Sequence, residues 1–266
     1  MYKTFKRIIR KSIERAGYEV RLPLGSEYYR FDSLVTNHNH DFMQDPDFIQ
    51  AYAEGLSAVG GRDHKTYWRV HIALTMAVWS SKFGGAFVEC GVADGCTTLA
   101  IMKYLSIKKE KLPDFYLFDT FSGLNPSQVP EEEEAYWGET AKDRQERYNK
   151  TTYTEGWNFD KVVKSFSKYN TVKVFKGYVP DVLYRAGPVF DQEKFSFIHI
   201  DMNNSEPEIQ AMEFFKHKFT SPAIILLDDY AYNGYGYQKY AMDKWAKENG
   251  VLIASLPTGQ GLIFWQ

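Results

Sequence analysis

The chain has 266 residues, enough for one sizeable domain, or one domain with a cap, and enough to bury a full core. Its 32 basic and 34 acidic residues leave a net charge of -2, which gives nucleic-acid binding no compositional support. Two cysteines are too few for a disulfide framework, no apolar run approaches the roughly 18 residues of a membrane span, and the first 15 residues lack the apolar stretch of a signal peptide, so a reducing, cytoplasmic setting is expected.

In chain order, the first 15 residues carry Lys3, Lys6, Arg7, Arg10, Lys11 and Arg15 among Tyr2, Phe5, Ile8, Ile9 and Ile13 at roughly helical spacing. This reads first as an amphipathic helix packing on its own domain or on a second subunit, which makes a homodimer through the N-terminal region one expected arrangement. The lesser reading is peripheral contact with an anionic membrane. Asp45-Pro46 is a good helix entry, with a helix over Asp47 to Leu56, and Gly60-Gly61 breaks it. Thr66 to Ser81 is a second helix, with Trp68, Ile72, Met76 and Trp79 near periods three and four. Residues 1–83 are therefore expected as a helical cap or extension.

From Gly84-Gly85 onward strands alternate with helices. Strands are predicted at Ala86 to Cys90, Phe115 to Asp119, Thr171 to Lys176, Phe195 to Asp201 and Ala223 to Asp229. Helices are predicted at about Thr97 to Leu105, Asn158 to Lys168, from Pro180 to Tyr184, Glu206 to Lys218 and Tyr237 to Asn249. Val251 to Ser255 and Gly261 to Trp265 read as a closing antiparallel hairpin. Gly123 to Gly156 reads as irregular and polar, with Glu131 to Glu134 as a solvated face and the whole stretch as a lid. The fold class is α/β: a doubly wound, Rossmann-like sheet, mostly parallel with the last strand antiparallel, over residues 84–266.

The chemistry concentrates where the first strand ends. Glu89, Gly91 and Gly95 form a Glu-x-Gly-x-x-x-Gly turn before a helix, a place where a ligand can approach backbone closely. The turn matches neither the dinucleotide fingerprint nor the P-loop. Asp119, at the end of the next strand, is spaced to hold a ribose diol. Asp201 and Asp228-Asp229 end the fourth and fifth strands, so acidic groups line one edge of the sheet. The alternative for each is a helix cap, where Asp is favoured anyway. The 19 tyrosines suit a site that stacks on sugar-like surfaces, or an aromatic-rich core.

At these residues the chain resembles the class I S-adenosylmethionine-dependent methyltransferases, and more narrowly the macrocin and mycinamicin O-methyltransferase group (TylF type). The segments that carry the resemblance are Phe87-Val-Glu-Cys-Gly-Val-Ala-Asp-Gly95, Phe118-Asp-Thr-Phe-Ser-Gly-Leu124, Val174-Phe-Lys-Gly-Tyr-Val-Pro-Asp181, Ile198-His-Ile-Asp201 and Ile224 to Tyr230. They follow the group's order and span roughly Thr66 to Phe264. The resemblance implies that Glu89, Gly91, Ala93, Asp94 and Gly95 line the methionine part of S-adenosylmethionine. It places Asp119 on the ribose hydroxyls, Thr120, Phe121 and Ser122 beside the adenosine, and Gly177 and Tyr178 near the adenine. It also implies that Asp201, Asp228 and Asp229 bind a divalent metal, and three carboxylates do offer the hard oxygen ligands that suit Mg²⁺ or Mn²⁺.

One departure concerns the general base. The group often has a second Asp two places after the first, and here that position is Asn203, with Asn204 beyond it. Asp201 and His199 are left as candidate catalytic bases. The function expected is a metal-assisted O-methyltransferase acting on a hydroxyl of a sugar-containing small molecule. The competing classes are a nucleotide-dependent oxidoreductase, which would need the missing glycine pattern, and a non-catalytic binding module.

Overall fold

A computed structural model of the chain describes residues 28–59, 61–151 and 158–266. The basic helix expected over the first 15 residues lies outside them, and with it the expected dimer or membrane contact. Residues 28–40 belong to a separate unit, in which strands β1 (Tyr29–Phe31) and β2 (Leu34–Thr36) pair antiparallel. The second unit runs from Asp41 to Gln266, so the division expected at residue 83 falls inside it.

This second unit opens with two helices, α1 (Pro46–Ala58) and α2 (Tyr67–Ser81). Asp45 caps α1, its side chain accepting the Asp47 N–H at 2.9 Å, with Pro46 in the first turn. Strand β3 (Ala86–Cys90) follows, then α3 (Cys96–Ile107) and β4 (Phe115–Asp119). The chain continues through α4 (Glu131–Trp137), α5 (Ala141–Thr151), α6 (Phe159–Ser165), β5 (Val172–Lys176) and α7 (Asp181–Ala186). It closes with β6 (Phe195–Ile200), α8 (Ser205–Phe215), β7 (Phe219–Leu227), α9 (Gly236–Glu248), β8 (Ala254–Ser255) and β9 (Gly261–Trp265).

The seven strands are ordered β5-β4-β3-β6-β7-β9-β8. The first five run parallel, and β9 pairs antiparallel with both β7 and β8. The expected fold class is therefore observed: a mostly parallel, doubly wound sheet. Its central strands are apolar on both sides because both faces are covered. Alternate residues serve opposite cores. Phe87, Phe115, Leu117, Phe197 and Leu226 pack with Phe48, Ala51, Val70, Leu74 and Leu99. Val88, Tyr116, Phe118, Ile198 and Ile225 pack with Leu183, Ala211, Phe215 and Trp245. Helices α1 and α2 thus pack on one face of the sheet.

Two expectations fail locally. The segment from Gly123 is not irregular, since it holds α4 and α5. The run Glu131 to Glu134 forms the first turn of α4, where negative charge meets the positive end of the helix dipole. Glu133 is fully buried, so the run is not simply a solvated face. Strand β8 is also shorter than predicted. Gly250 turns left-handed at the end of α9 and the Val251 N–H bonds back to the Ala246 carbonyl at 2.9 Å, so helix termination uses up the residues that would have paired. No helix among the described residues is long and apolar enough to cross a membrane.

Candidate active site

Two cavities open at the carboxyl ends of the parallel strands, where an open α/β sheet presents ligands. The first is lined by Asp119, Thr120, Gly123, Gln128, Gly177 and Tyr178, among others. The second is lined by Thr66, Arg69, Asp94, Asp228, Tyr232 and Gln260, among others. Gly91, Ala93, Asp201 and Asn203 line both, so the cavities meet at the ends of β3 and β6.

The turn after β3 is set by three residues with positive φ, Gly91, Ala93 and Gly95. A Cβ on Gly91 would stand 1.8 Å from the main-chain oxygen of Asp201, so the glycine is needed for contact between strand ends, not only for ligand access. Asp119 secures the turn from the neighbouring strand. Its Oδ2 accepts the N–H groups of Val92 at 2.7 Å and Ala93 at 2.9 Å, and its Oδ1 accepts that of Phe121 at 2.6 Å. Burial raises the Asp119 carboxyl above its ordinary range, and these three donors work against that rise.

The cofactor residues expected from the sequence divide into groups. Gly91, Ala93, Asp119, Thr120, Gly177 and Tyr178 line the first cavity. Glu89 and Asp94 line the second instead. Asp94 accepts the Cys96 N–H at 2.8 Å in the first turn of α3, and burial pushes its carboxyl up to about 6. Gly95, Phe121 and Ser122 line neither. A Cβ on Gly95 would press on the Phe166 ring at 2.8 Å, and Phe121 is buried against Phe159, with ring centroids 5.4 Å apart. Ser122 is exposed, with its N–H bonded to the Thr120 hydroxyl at 3.1 Å.

The acidic end of the second cavity is a charge network. One nitrogen and two carboxylate oxygens, from His199, Asp201 and Asp228, lie within 4.8 Å of one another. His199 is buried between two carboxylates, its Nδ1 2.7 Å from Glu89 Oε1 and its Nε2 3.5 Å from Asp228 Oδ1. The Thr98 hydroxyl donates to the other oxygen of Glu89. Burial alone would lower His199, but Asp228 and Glu89 outweigh it and hold the imidazole well above its ordinary range. His199 thus sits in ionic contact with Glu89 on one side and Asp228 on the other, and both expected base candidates, His199 and Asp201, lie in this cluster.

Asp228 is held from three sides, by the Arg69 guanidinium on Oδ2, by Gln260 Nε2 on Oδ1 at 2.9 Å, and by His199. Burial pushes Asp228 up, yet Arg69, His199 and Gln260 prevail and keep its carboxyl well below the carboxylate range. Arg69 also reaches Asp229 Oδ1 at 2.9 Å. Asp201 Oδ1 accepts a hydrogen bond from Asn203 Nδ2 at 3.3 Å. Burial, then Asp228 and Asp229, push its carboxyl well above the usual range. The Asp201 and Asp228 carboxylates come within reach of one point, hard oxygen donors of the kind a divalent cation takes, while Asp229 lines the same cavity and shares Arg69 with Asp228.

The segment between β4 and α6 completes the walls. Glu133 of α4 accepts the Ser205 N–H at 3.3 Å and its hydroxyl at 2.6 Å, at the amino end of α8. Arg144 of α5 stacks over Trp137 at 3.9 Å. The hydroxyls of Tyr148 and Tyr235, which line the first and second cavities respectively, stand 3.3 Å apart. Arg69, Gln260 and Glu133 were not singled out as site residues from the sequence. A sequence signal for Arg69 is that it is the sole Lys or Arg of α2.

The sequence profile of the macrocin O-methyltransferase (TylF) family matches residues 67–256. No curated protein matches the chain by sequence. Among solved structures, the O-methyltransferase NovP is similar with a TM-score of 0.63 at 14% identity, over 86% of this chain and 100% of its own. The calicheamicin methyltransferase CalS11 is similar with a TM-score of 0.58 at 15% identity, over 92% of this chain and 99% of its own. A second CalS11 structure, described as a TDP-rhamnose 3'-O-methyltransferase, gives 0.54 at 15% identity over 86% and 88%. At such identities the likeness is one of fold.

Proposed function

The chain belongs to the macrocin O-methyltransferase (TylF) family, and from that premise we propose that this S-adenosylmethionine-dependent O-methyltransferase methylates a hydroxyl of a sugar, free as a nucleotide sugar or attached to a larger molecule, with help from a divalent cation. One observation carries the reading. Two cavities of different character meet at Gly91, Ala93, Asp201 and Asn203, which is the arrangement required for a group to pass from a donor to an acceptor.

The first cavity suits the donor. The glycine turn offers backbone at its floor, Asp119 and Thr120 offer oxygens for a ribose, and Tyr178 offers a ring beside Gly177. S-adenosylmethionine brings an activated methyl group, so the protein's task is to position the acceptor and remove its proton. The second cavity suits the acceptor, with Thr66, Tyr232 and Tyr235 for contacts to a polar ring. The description of CalS11 as a TDP-rhamnose methyltransferase is consistent with a sugar acceptor.

Asp201 lines both cavities where they join, which supports it as the residue that takes the hydroxyl proton, with His199 as the other candidate. Asp201, Asp228 and Asp229 would hold the cation, whose chemistry is to lower the pKa of a bound hydroxyl and orient it. His199 and Gln260 keep Asp228 in register, and Glu89 keeps His199 charged.

The test is a methyl-transfer assay over nucleotide sugars and neutral glycosides, with detection of the mass gain on the sugar. A labelled methyl group recovered on a sugar oxygen is the expected result. Transfer to nitrogen, sulfur or a phenol, with every sugar inert, would overturn the acceptor assignment.

A further inference from the structure

Arg69 stands on α2 as its sole Lys or Arg. Its side chain is 15% exposed and reaches the acidic end of the second cavity. Nη2 donates to Asp228 Oδ2, to the Asp228 carbonyl at 3.2 Å and to Asp229 Oδ1 at 2.9 Å. The guanidinium carbon lies 5.7 Å from the centre of the Tyr232 ring. One nitrogen therefore ties together two carboxylates on consecutive residues, which would repel each other without a cation between them.

The same oxygens are those a divalent cation would need. Asp228 Oδ1 is already taken by Gln260 at 2.9 Å, and Oδ2 by Arg69. A guanidinium and a metal ion cannot share one oxygen lone pair, and two cations a few ångströms apart in a half-buried site repel strongly. We propose that Arg69 is a displaceable internal counter-ion, which closes Asp228 and Asp229 while no metal is bound, competes with the metal for their oxygens, and leaves them when the metal enters. This rests on the cation reading of the site given above. It makes Arg69 a positioning residue that sets metal affinity, rather than a group that touches the reacting atoms.

The experiment is a Mn²⁺ titration of the full chain without acceptor, followed by electron paramagnetic resonance, on the wild type, Arg69→Gln and Arg69→Lys. Arg69→Gln should bind Mn²⁺ on the order of tenfold more tightly or better, because both the competitor and its repulsion are gone. Arg69→Lys keeps the charge but loses the fork geometry, and should fall between. In chelator, Arg69→Gln should melt below the wild type, and Mn²⁺ should raise its melting temperature by more than it raises that of the wild type. If Arg69→Gln does not fold, tighter binding by Arg69→Lys than by the wild type upholds the proposal. Equal Mn²⁺ affinity in the folded proteins, with turnover still needing metal, would overturn the role of Arg69 and leave the cation reading standing. Failure of every protein to bind Mn²⁺, with turnover indifferent to chelator, would overturn both.

Discussion

The two cavities that meet at Asp201 are built by different means. The first is shaped by backbone: a left-handed turn at Gly91, Ala93 and Gly95, a second at Gly177, and a carboxylate, Asp119, spent mainly on holding N–H groups in place. The second shares part of that turn and adds side chains from α2, from the loop after β6, and from the loops that follow β7 and precede β9. Its charges are neutralised pairwise, His199 by Glu89 and Asp228, and Arg69 by Asp228 and Asp229. A backbone cavity keeps its shape when a side chain changes, whereas a side-chain cavity changes its charge balance with each substitution. Damage to the first should register as stability or cofactor affinity, and damage to the second as turnover.

The largest effect is expected where both constructions depend on one atom. Gly91→Ala would place a methyl group 1.8 Å from the Asp201 carbonyl oxygen, at a φ of +91°. Backbone must shift on both strands, so stability should fall by about 3 kcal/mol or more and methyl transfer should vanish. Urea unfolding checks the first, and a variant of normal stability would show that the strand ends are not in contact.

Next comes the side-chain cavity. Asp228→Asn removes the charge that Arg69 and His199 share, and turnover should fall on the order of 10² or more. Affinity for S-adenosylhomocysteine should stay within about twofold, since Asp228 does not line the first cavity. Chelation should act in the same direction and Mg²⁺ or Mn²⁺ should reverse it. Equal loss of cofactor affinity and turnover would erase the distinction between the cavities.

In the backbone cavity, Asp119→Ala releases the N–H groups of Val92, Ala93 and Phe121. Cofactor binding should weaken by about 1 to 3 kcal/mol, the scale of lost charged hydrogen bonds. Calorimetry with S-adenosylmethionine reads this directly, and unchanged affinity would reduce Asp119 to a structural residue.

The smallest effect separates a second bracing carboxylate. Glu208 accepts the Met202 N–H at 3.2 Å and the Gln238 amide at 2.8 Å beneath the Asp201 loop. Burial, and then Asp229, push its carboxyl up to about 8 from an ordinary 4.5. The folded protein thus keeps a proton that the unfolded chain gives up. Stability from this group is complete below pH 4.5 and is lost as pH rises through 8. Glu208→Gln should flatten the fall in melting temperature between these limits, and an identical profile would show that other groups set it.

The backbone cavity was far more legible in the sequence than the side-chain one. Apolar pentapeptides with an acid at or next to their end, Glu89 or Asp119, announce parallel strands, and glycines at fixed offsets announce turns, because both signals are local. Arg69, Asp228 and Gln260 meet only through the strand order, the first two 159 positions apart, and no local pattern records such a meeting. Burial was also hidden. Glu89 and Glu133 look alike as letters, yet one is paired with His199 and the other caps α8 through Ser205. The polar composition from Gly123 onward suggested irregular chain, but four consecutive glutamates at a helix start are a favourable helix signal, and tertiary contact rather than propensity decided which of them is buried.

The antiparallel course of β9 has a consequence for the order in which the site is made. Parallel strands bring their ends to the catalytic edge, whereas β9 brings its beginning, so Gln260 arrives beside Asp228 as Gly261 pairs with Leu227. On the ribosome, Arg69, His199, Asp201, Asp228 and Asp229 are all synthesised before Gln260. A nascent chain halted before β9 exposes β7 as an unpaired sheet edge and holds an acidic cluster without its amide tie. Gln260 therefore joins the cluster after its other members, and the strand that brings it also covers the edge through which an unfinished chain could aggregate.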